Sequence, residues 1–310
     1  MFGRIAILGA GAIGLYYGTR LALAGNEVRF LVRGDLEAIR TRGIRVRTGD
    51  HVEVLFPAKA CADANEIGPV DLVIITLKAT ANDQLARLLP PLLQPGTVVV
   101  TLQNGLGNET LLTPWVEPGR ILGGLCFVAC MRTAPAEVTC FHTGMITLGE
   151  FERPLGEQAR AVARLLEGSG VVCRLVENLA EARWRKLVWN VPFNGLSIAA
   201  GGVTTDVICA DPALTAEVRA LMEEIRAAAK ALGHDIPAAF AQRQYDVTPP
   251  MGPYQPSSLV DHLAGRPVEV EAIWGEALRQ ASQVGADTPR LALLYALLRS
   301  LDQRRRPSGL

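Results

Sequence analysis

Arg4-Ile5-Ala6-Ile7-Leu8 runs straight into Gly9-Ala10-Gly11-Ala12-Ile13-Gly14, and the reading of this stretch decides the fold. The apolar run predicts a buried strand, and the helical periodicity from Leu15 to Ala24 predicts a helix that ends at Gly25. Between them the glycines fit a dinucleotide-binding turn: Gly9 for the tight bend, Gly11 for close approach of a pyrophosphate, Gly14 for packing of helix on strand. The free N–H groups at the helix start would bind the phosphates. Gly9, Ala10, Gly11, Ala12, Ile13 and Gly14 are therefore candidate cofactor residues.

A chain of 310 residues is long for one hydrophobic core, so two domains are expected. Glu27 to Val32 reads as a second strand. Ile44 to Val54 reads as a hairpin around Thr48-Gly49-Asp50, and Asp71 to Leu77 as a strand buried on both faces. Asn82 to Leu93 predicts a helix and Thr97 to Thr101 a strand. Between Ile121 and Glu150 the pattern predicts short antiparallel strands with turns at Ala134-Pro135 and His142-Thr143-Gly144. A helix over 156–167 and a strand from Val171 to Val176 complete an α/β, Rossmann-like domain over 1–177. From 178 to 310 every apolar pattern is helical, which predicts an all-α second domain, with Asp211-Pro212 as a strong helix start.

Ligands of open α/β sheets bind beyond the carboxyl ends of the strands. Lys78 and Asn104 stand at two such ends. At the end of the second strand, an NAD-selective fold carries an acidic residue for the ribose hydroxyls. Here that place is taken by Arg33, whose guanidinium suits a 2′-phosphate, while Asp35 is expected to begin the next helix. NADP is the cofactor this pattern favours.

Thirty-one basic residues balance thirty-one acidic ones, which gives no nucleic-acid or membrane surface. No apolar run reaches the length of a membrane span. Six cysteines without a Cys-x-x-Cys pair read as buried thiols of a reducing cytoplasm. Cys126 and Cys130 are expected on one face of a strand. His142, His234 and His262 lack the spacing of a metal site, and no metal is expected. Arg304-Arg305-Arg306 reads as a solvated, frayed tail.

The second domain opens on Arg183-Trp184-Arg185-Lys186-Leu187-Val188-Trp189-Asn190-Val191-Pro192-Phe193-Asn194. Lys186, Asn190 and Asn194 fall within an arc of roughly 80° on one helix face. Asn190 is the one polar residue from Leu187 to Phe193, so the helix is mostly buried and its stripe needs partners. The plain alternative is a solvated edge, which asparagine, a poor helix former, fits badly. Pro192 should kink the helix near the asparagines.

With these residues in view, the chain resembles the ketopantoate reductases (2-dehydropantoate 2-reductases) along nearly its whole length. The resemblance rests on Gly9 to Gly14, Thr76-Leu77-Lys78-Ala79, Gln103-Asn104-Gly105-Leu106-Gly107, and Trp184-Arg185-Lys186-Leu187 with Asn190 and Asn194. Ser257-Ser258, Leu263-Ala264-Gly265-Arg266-Pro267 and Glu269 complete it. It implies NADPH-dependent reduction of the keto group of ketopantoate to pantoate, for pantothenate and coenzyme A synthesis. It also implies Lys186 as the general acid; Asn190, Asn194, Ser258 and Glu269 as substrate-binding residues; and Lys78 and Asn104 as cofactor-side residues. The chemistry is sound: hydride addition leaves charge on oxygen, which an ammonium stabilises and then protonates.

This chain departs from the family pattern at Gln255-Pro256, at Leu259, in a segment from Ser258 to Glu269 one residue shorter than in some relatives, and at Trp274-Gly275. These changes touch the identity of the 2-keto acid more than the reaction. Other readings are a relative acting on a different 2-keto acid, a 3-hydroxyacid or 6-phosphogluconate-type dehydrogenase, and an NADPH-sensing regulator. Partners other than a small keto acid are not implied, and a homodimer is left open.

Overall fold

The computed structural model of the chain describes residues 2–305. Its contacts divide it into two units, Met1–Gln103 with Asn108–Leu179, and Asn104–Gly107 with Ala180–Leu310. The boundary between the units falls between Leu179 and Ala180, and a four-residue loop from the earlier sequence belongs with the helices.

The first unit contains one ten-stranded sheet. In chain order its strands are β1 (Arg4–Leu8), β2 (Glu27–Leu31), β3 (Ile44–Thr48), β4 (His51–Leu55), β5 (Lys59–Cys61), β6 (Leu72–Ile75), β7 (Val98–Thr101), β8 (Ile121–Ala134), β9 (Glu137–Glu150) and β10 (Cys173–Leu175). Its helices are α1 (Ala12–Leu23), α2 (Leu36–Arg42), α3 (Ala64–Ile67), α4 (Leu85–Leu88) and α5 (Glu157–Glu167). The strand order is β4-β3-β9-β8-β7-β6-β1-β2-β5, with β10 alongside β9. From β8 to β5 every neighbouring pair is parallel.

The residues explain this layout. β6 and β7 are buried throughout, as strands covered on both faces must be. Side chains alternate along β1, so Ile5 and Ile7 join α1 in one core, while Ala6 and Leu8 join Leu85, Leu88 and Ile67 in the other. β3 alternates buried and exposed residues, and it lies near the far edge, parallel to β9 and antiparallel to β4. The hairpin expected from Ile44 to Val54 is therefore part of the main sheet.

Two expectations for this unit fail for identifiable reasons. Asn82 to Leu93 is not one helix but a 3-10 turn (Ala79–Gln84), the single turn of α4, and a second 3-10 turn (Pro90–Leu92). Pro90 and Pro91 cannot donate backbone hydrogen bonds, and Asn82 spends its amide on Gln103 and Asn108. Between Ile121 and Glu150 there are two 14-residue strands. The turn after Ala134 is present, but His142-Thr143-Gly144 is a bulge, because Phe127 pairs with Met145 and Ala129 already pairs with His142.

The six cysteines form no disulfide, but only Cys140 is fully buried and the others are partly exposed. Cys126 and Cys130 both pack against the core beside α1. The Cys140 thiol is pulled down to about 7, chiefly by hydrogen bonding from Cys130.

The second unit is helical: α6 (Leu179–Ala199), α7 (Thr205–Ala210), α8 (Pro212–Ala231), α9 (Ala238–Asp246), α10 (Ser257–Leu263), α11 (Glu276–Gln283) and α12 (Pro289–Arg305). α6 begins one residue before the contact boundary. α7 escapes the periodicity because it is too short to show one. A π-helical turn, Glu271–Gly275, lies directly ahead of α11. Trp184, Val188, Phe193, Leu221, Ile225, Trp274 and Leu291 are among the core residues. Arg304 and Arg305 continue α12 and do not form a frayed tail; Arg306 lies outside the described residues.

Among the described residues, no helix is long and apolar enough to cross a membrane.

The Asp211 carboxylate caps α8 by accepting from the N–H groups of Ala213 (2.7 Å) and Leu214 (3.1 Å). Asp211→Ala is predicted to destabilise the protein by about 1 kcal/mol, read as a lower urea midpoint. An unchanged midpoint would show that this cap contributes nothing.

Candidate functional site

In the first unit, the glycine stretch is a turn between β1 and α1. Gly9 has φ +111°, and the Thr76 hydroxyl donates to its carbonyl. A Cβ at Gly14 would lie 2.1 Å from that carbonyl oxygen and 3.0 Å from Ile7, so the helix sits directly on turn and strand. Space around a Cβ at Gly11 is open to 4 Å. Gly11 is also the N-cap of α1, and no side chain caps the helix there. An uncapped helix start beside open space is what a pyrophosphate needs, so these residues fit a dinucleotide. The turn lies where the strand order reverses, with β2 on one side of β1 and β6 on the other, which is where such sheets bind ligands.

Lys78 is exposed, three residues beyond β6 and at the start of the 3-10 turn Ala79–Gln84. Arg33 is exposed, two residues beyond β2. Asp35 stands at the N-cap of α2 but does not cap it. Its carboxylate instead accepts from Ala136 N–H (2.9 Å) and from Arg132. That pairing ties it to the β8–β9 turn.

In the second unit, Lys186, Asn190 and Asn194 lie along α6, which runs on through Pro192. Asn190 is 8% and Asn194 1% exposed, so the stripe is not a solvated edge. Lys186 is half-buried, and its ammonium donates to Asn104 Oδ1 at 2.9 Å. Asn194 Oδ1 accepts from Ser258 N–H at 2.9 Å. Ser258 lies in the first turn of α10 with its side chain buried, and Glu269 is also buried. Glu271, two residues on, is exposed and accepts from the Tyr295 hydroxyl. Asn104 therefore belongs, by its contacts, with the lysine stripe.

Several residues to which the sequence assigned no role support the site. Thr76 secures Gly9. Asn82 bridges Gln103 and Asn108, the two stems of the Asn104–Gly107 loop, at 2.7 and 3.0 Å. Trp274 is fully buried and donates its indole N–H to the Val191 carbonyl at 3.0 Å. Trp189 stacks on Phe193 and donates to the Thr248 hydroxyl. Each acts through a partner distant in sequence or through packing, a pattern visible only once the neighbours are known.

The arrangement places an ammonium group and two buried amides along one helix, with a serine backbone N–H joined to one of the amides. Two family patterns match the chain: Ketopantoate reductase PanE/ApbA over residues 5–153, and Ketopantoate reductase PanE/ApbA C terminal over residues 178–302. The chain is 37% identical to a 2-dehydropantoate 2-reductase of Nostoc sp., covering 99% of this chain and 98% of that one. A crystal structure of 2-dehydropantoate 2-reductase from Geobacter metallireducens superposes with a TM-score of 0.93 at 39% identity, over 96% of this chain and 99% of the other. A D-mandelate dehydrogenase solved with NADH and anilino(oxo)acetate has a TM-score of 0.88, covering 97% of this chain and 99% of its own. At 23% identity it shares the fold alone. The chain belongs to the ketopantoate reductase family of pyridine-nucleotide-dependent oxidoreductases.

Proposed function

We propose that this protein reduces the 2-keto group of ketopantoate (2-dehydropantoate) to pantoate with NADPH, in the cytoplasm, as a step toward pantothenate and coenzyme A. The observation that carries this reading is the buried polar stripe of α6, in which Lys186 is held by Asn104 and Asn194 by Ser258. A helix does not bury two asparagines and half-bury a lysine without a use for them. NADPH, when bound, supplies hydride to the keto carbon.

Residues 9–14 would hold the pyrophosphate at the start of α1, and Lys78 and Asn104 would serve the cofactor side. Lys186 would stabilise the charge developing on the substrate oxygen and then donate a proton to it. Asn190, Asn194, Ser258 and Glu269 would bind the hydroxyl and carboxylate groups of the keto acid. Arg33 would bind the 2′-phosphate. The engagement of Asp35 with Arg132 and Ala136 supports this cofactor preference, because it takes the nearest carboxylate away from a ribose.

The reaction is tested by following NADPH oxidation with ketopantoate against ketoisovalerate, pyruvate and oxaloacetate. Ketopantoate should give the highest kcat/KM; a better rate with another keto acid would leave the reaction class and replace the substrate.

Lys186→Ala should lower kcat by about two to four orders of magnitude, with NADPH affinity nearly intact. A loss under about tenfold would remove the lysine from the role of general acid. Ser258→Ala retains the backbone N–H that Asn194 accepts, so it should act mainly by raising KM for the keto acid, and an unchanged KM would take the hydroxyl out of the site. Arg33→Ala should weaken NADPH binding by about 1.5–3 kcal/mol and leave NADH binding little changed, as titration of each cofactor would show. Equal losses for both, or a wild type that prefers NADH, would refute the assignment.

A further inference from the structure

The π-helical turn Glu271–Gly275 touches both elements that present the lysine stripe. Within this turn Glu276 N–H donates to the Glu271 carbonyl. In an α-helix that donor would serve Ala272. The Ala272 carbonyl instead accepts from Leu106 N–H at 2.9 Å. Gly105, at φ +85°, lies so close that a Cβ would fall 2.2 Å from the same oxygen. Leu106 is buried in the helical core. The loop is thus docked two residues from Asn104, whose Oδ1 accepts from Lys186.

Two residues further along the turn, Trp274 reaches α6. Its indole N–H donates to the Val191 carbonyl at 3.0 Å, between Asn190 and Asn194. Its Nε1 would lie 2.9 Å from a Cβ at Gly195, so the ring is seated on the helix where that residue lacks a side chain. One short turn therefore fixes the loop carrying the acceptor and the helix carrying the donor. π-turns inside helices are frequently found at functional sites.

We propose that the Glu271–Gly275 turn is the positioning element for Lys186, acting through the Ala272 carbonyl on the Asn104 loop and through Trp274 on α6. Neither Gly105 nor Trp274 need touch a substrate for this. The proposal rests on the assignment of Lys186 as general acid, but its geometry is testable without turnover.

The test is acetylation of the enzyme, free of substrate and cofactor, by an N-hydroxysuccinimide ester, with the extent at Lys186 and at Lys230 read by peptide mass spectrometry. Lys230 is exposed on α8 and reports the reactivity of a lysine already open to the reagent, while an unchanged circular-dichroism spectrum and thermal midpoint report that the fold is kept. A lysine released from Asn104 is less shielded from the reagent, so it reacts faster. Gly105→Ala and Asn104→Ala are each expected to speed labelling of Lys186 fivefold or more with Lys230 unchanged, and the double variant should be no faster than Asn104→Ala alone. Trp274→Phe, which removes the N–H and keeps a ring, should speed it about threefold.

Wild-type labelling rates in Gly105→Ala overturn the proposal, as does a double variant in which the two effects multiply. If Gly105→Ala fails to fold, Trp274→Phe decides alone: a wild-type rate at Lys186 overturns the proposal and a faster rate supports it. In parallel, both variants should lower kcat for the keto acid about tenfold while KM changes less than threefold. A wild type inert toward every keto acid would overturn the functional reading and leave the labelling result to judge the positioning on its own.

Discussion

A helix that buries amide side chains must have them satisfied from outside itself, and much of the second unit is arranged to do this for α6. Asn194 draws on the first turn of α10, and Lys186 on a loop from a distant part of the sequence. An unpaired buried amide or ammonium costs on the order of 1–3 kcal/mol or more, so neither partner can drift far without loss of stability. The surrounding residues, Leu187, Val188, Val191 and Phe193, are fully buried aliphatic and aromatic groups, and they supply the hydrophobic stabilisation that allows the stripe to be polar.

Much of this was legible in the sequence, and the parts that were not share a cause. β1, the glycine turn, β6 and β7 announce themselves because apolar runs flanked by glycine leave few alternatives. Lys186, Asn190 and Asn194 were legible because a period of 3.6 residues puts them on one face. The failed helix over 82–93 was hidden by Asn82, whose real partners are more than twenty residues away. The bulge at 142–144 resembles a turn locally, and only pairing with Phe127 and Ala129 shows that the strand continues. The π-turn leaves no compositional trace, since its apolar spacing fits an ordinary helix. Local chemistry was readable; obligations to remote partners were not.

Charge at the edge of the first unit follows the same logic. Asp35 stands where a helix cap is expected, yet it leaves α2 uncapped and binds Arg132 and a backbone amide at the β8–β9 turn. A carboxylate committed to two donors across the sheet is stabilised where it is, and the surface beyond β2 is left to the exposed Arg33.

The loop Asn104–Gly107 also bears on how such an enzyme could be taken apart or recombined. It is encoded within the sheet unit, is stapled at both stems by Asn82, and contributes Leu106 to the core of the helices. A gene fragment beginning at Ala180 would encode helices with a hole where Leu106 belongs and an Ala272 carbonyl without its donor. Exchange of one unit between relatives would have to carry these four residues from one partner and their stems from the other. The core of the helical unit is thus completed by a segment whose sequence lies within the sheet unit.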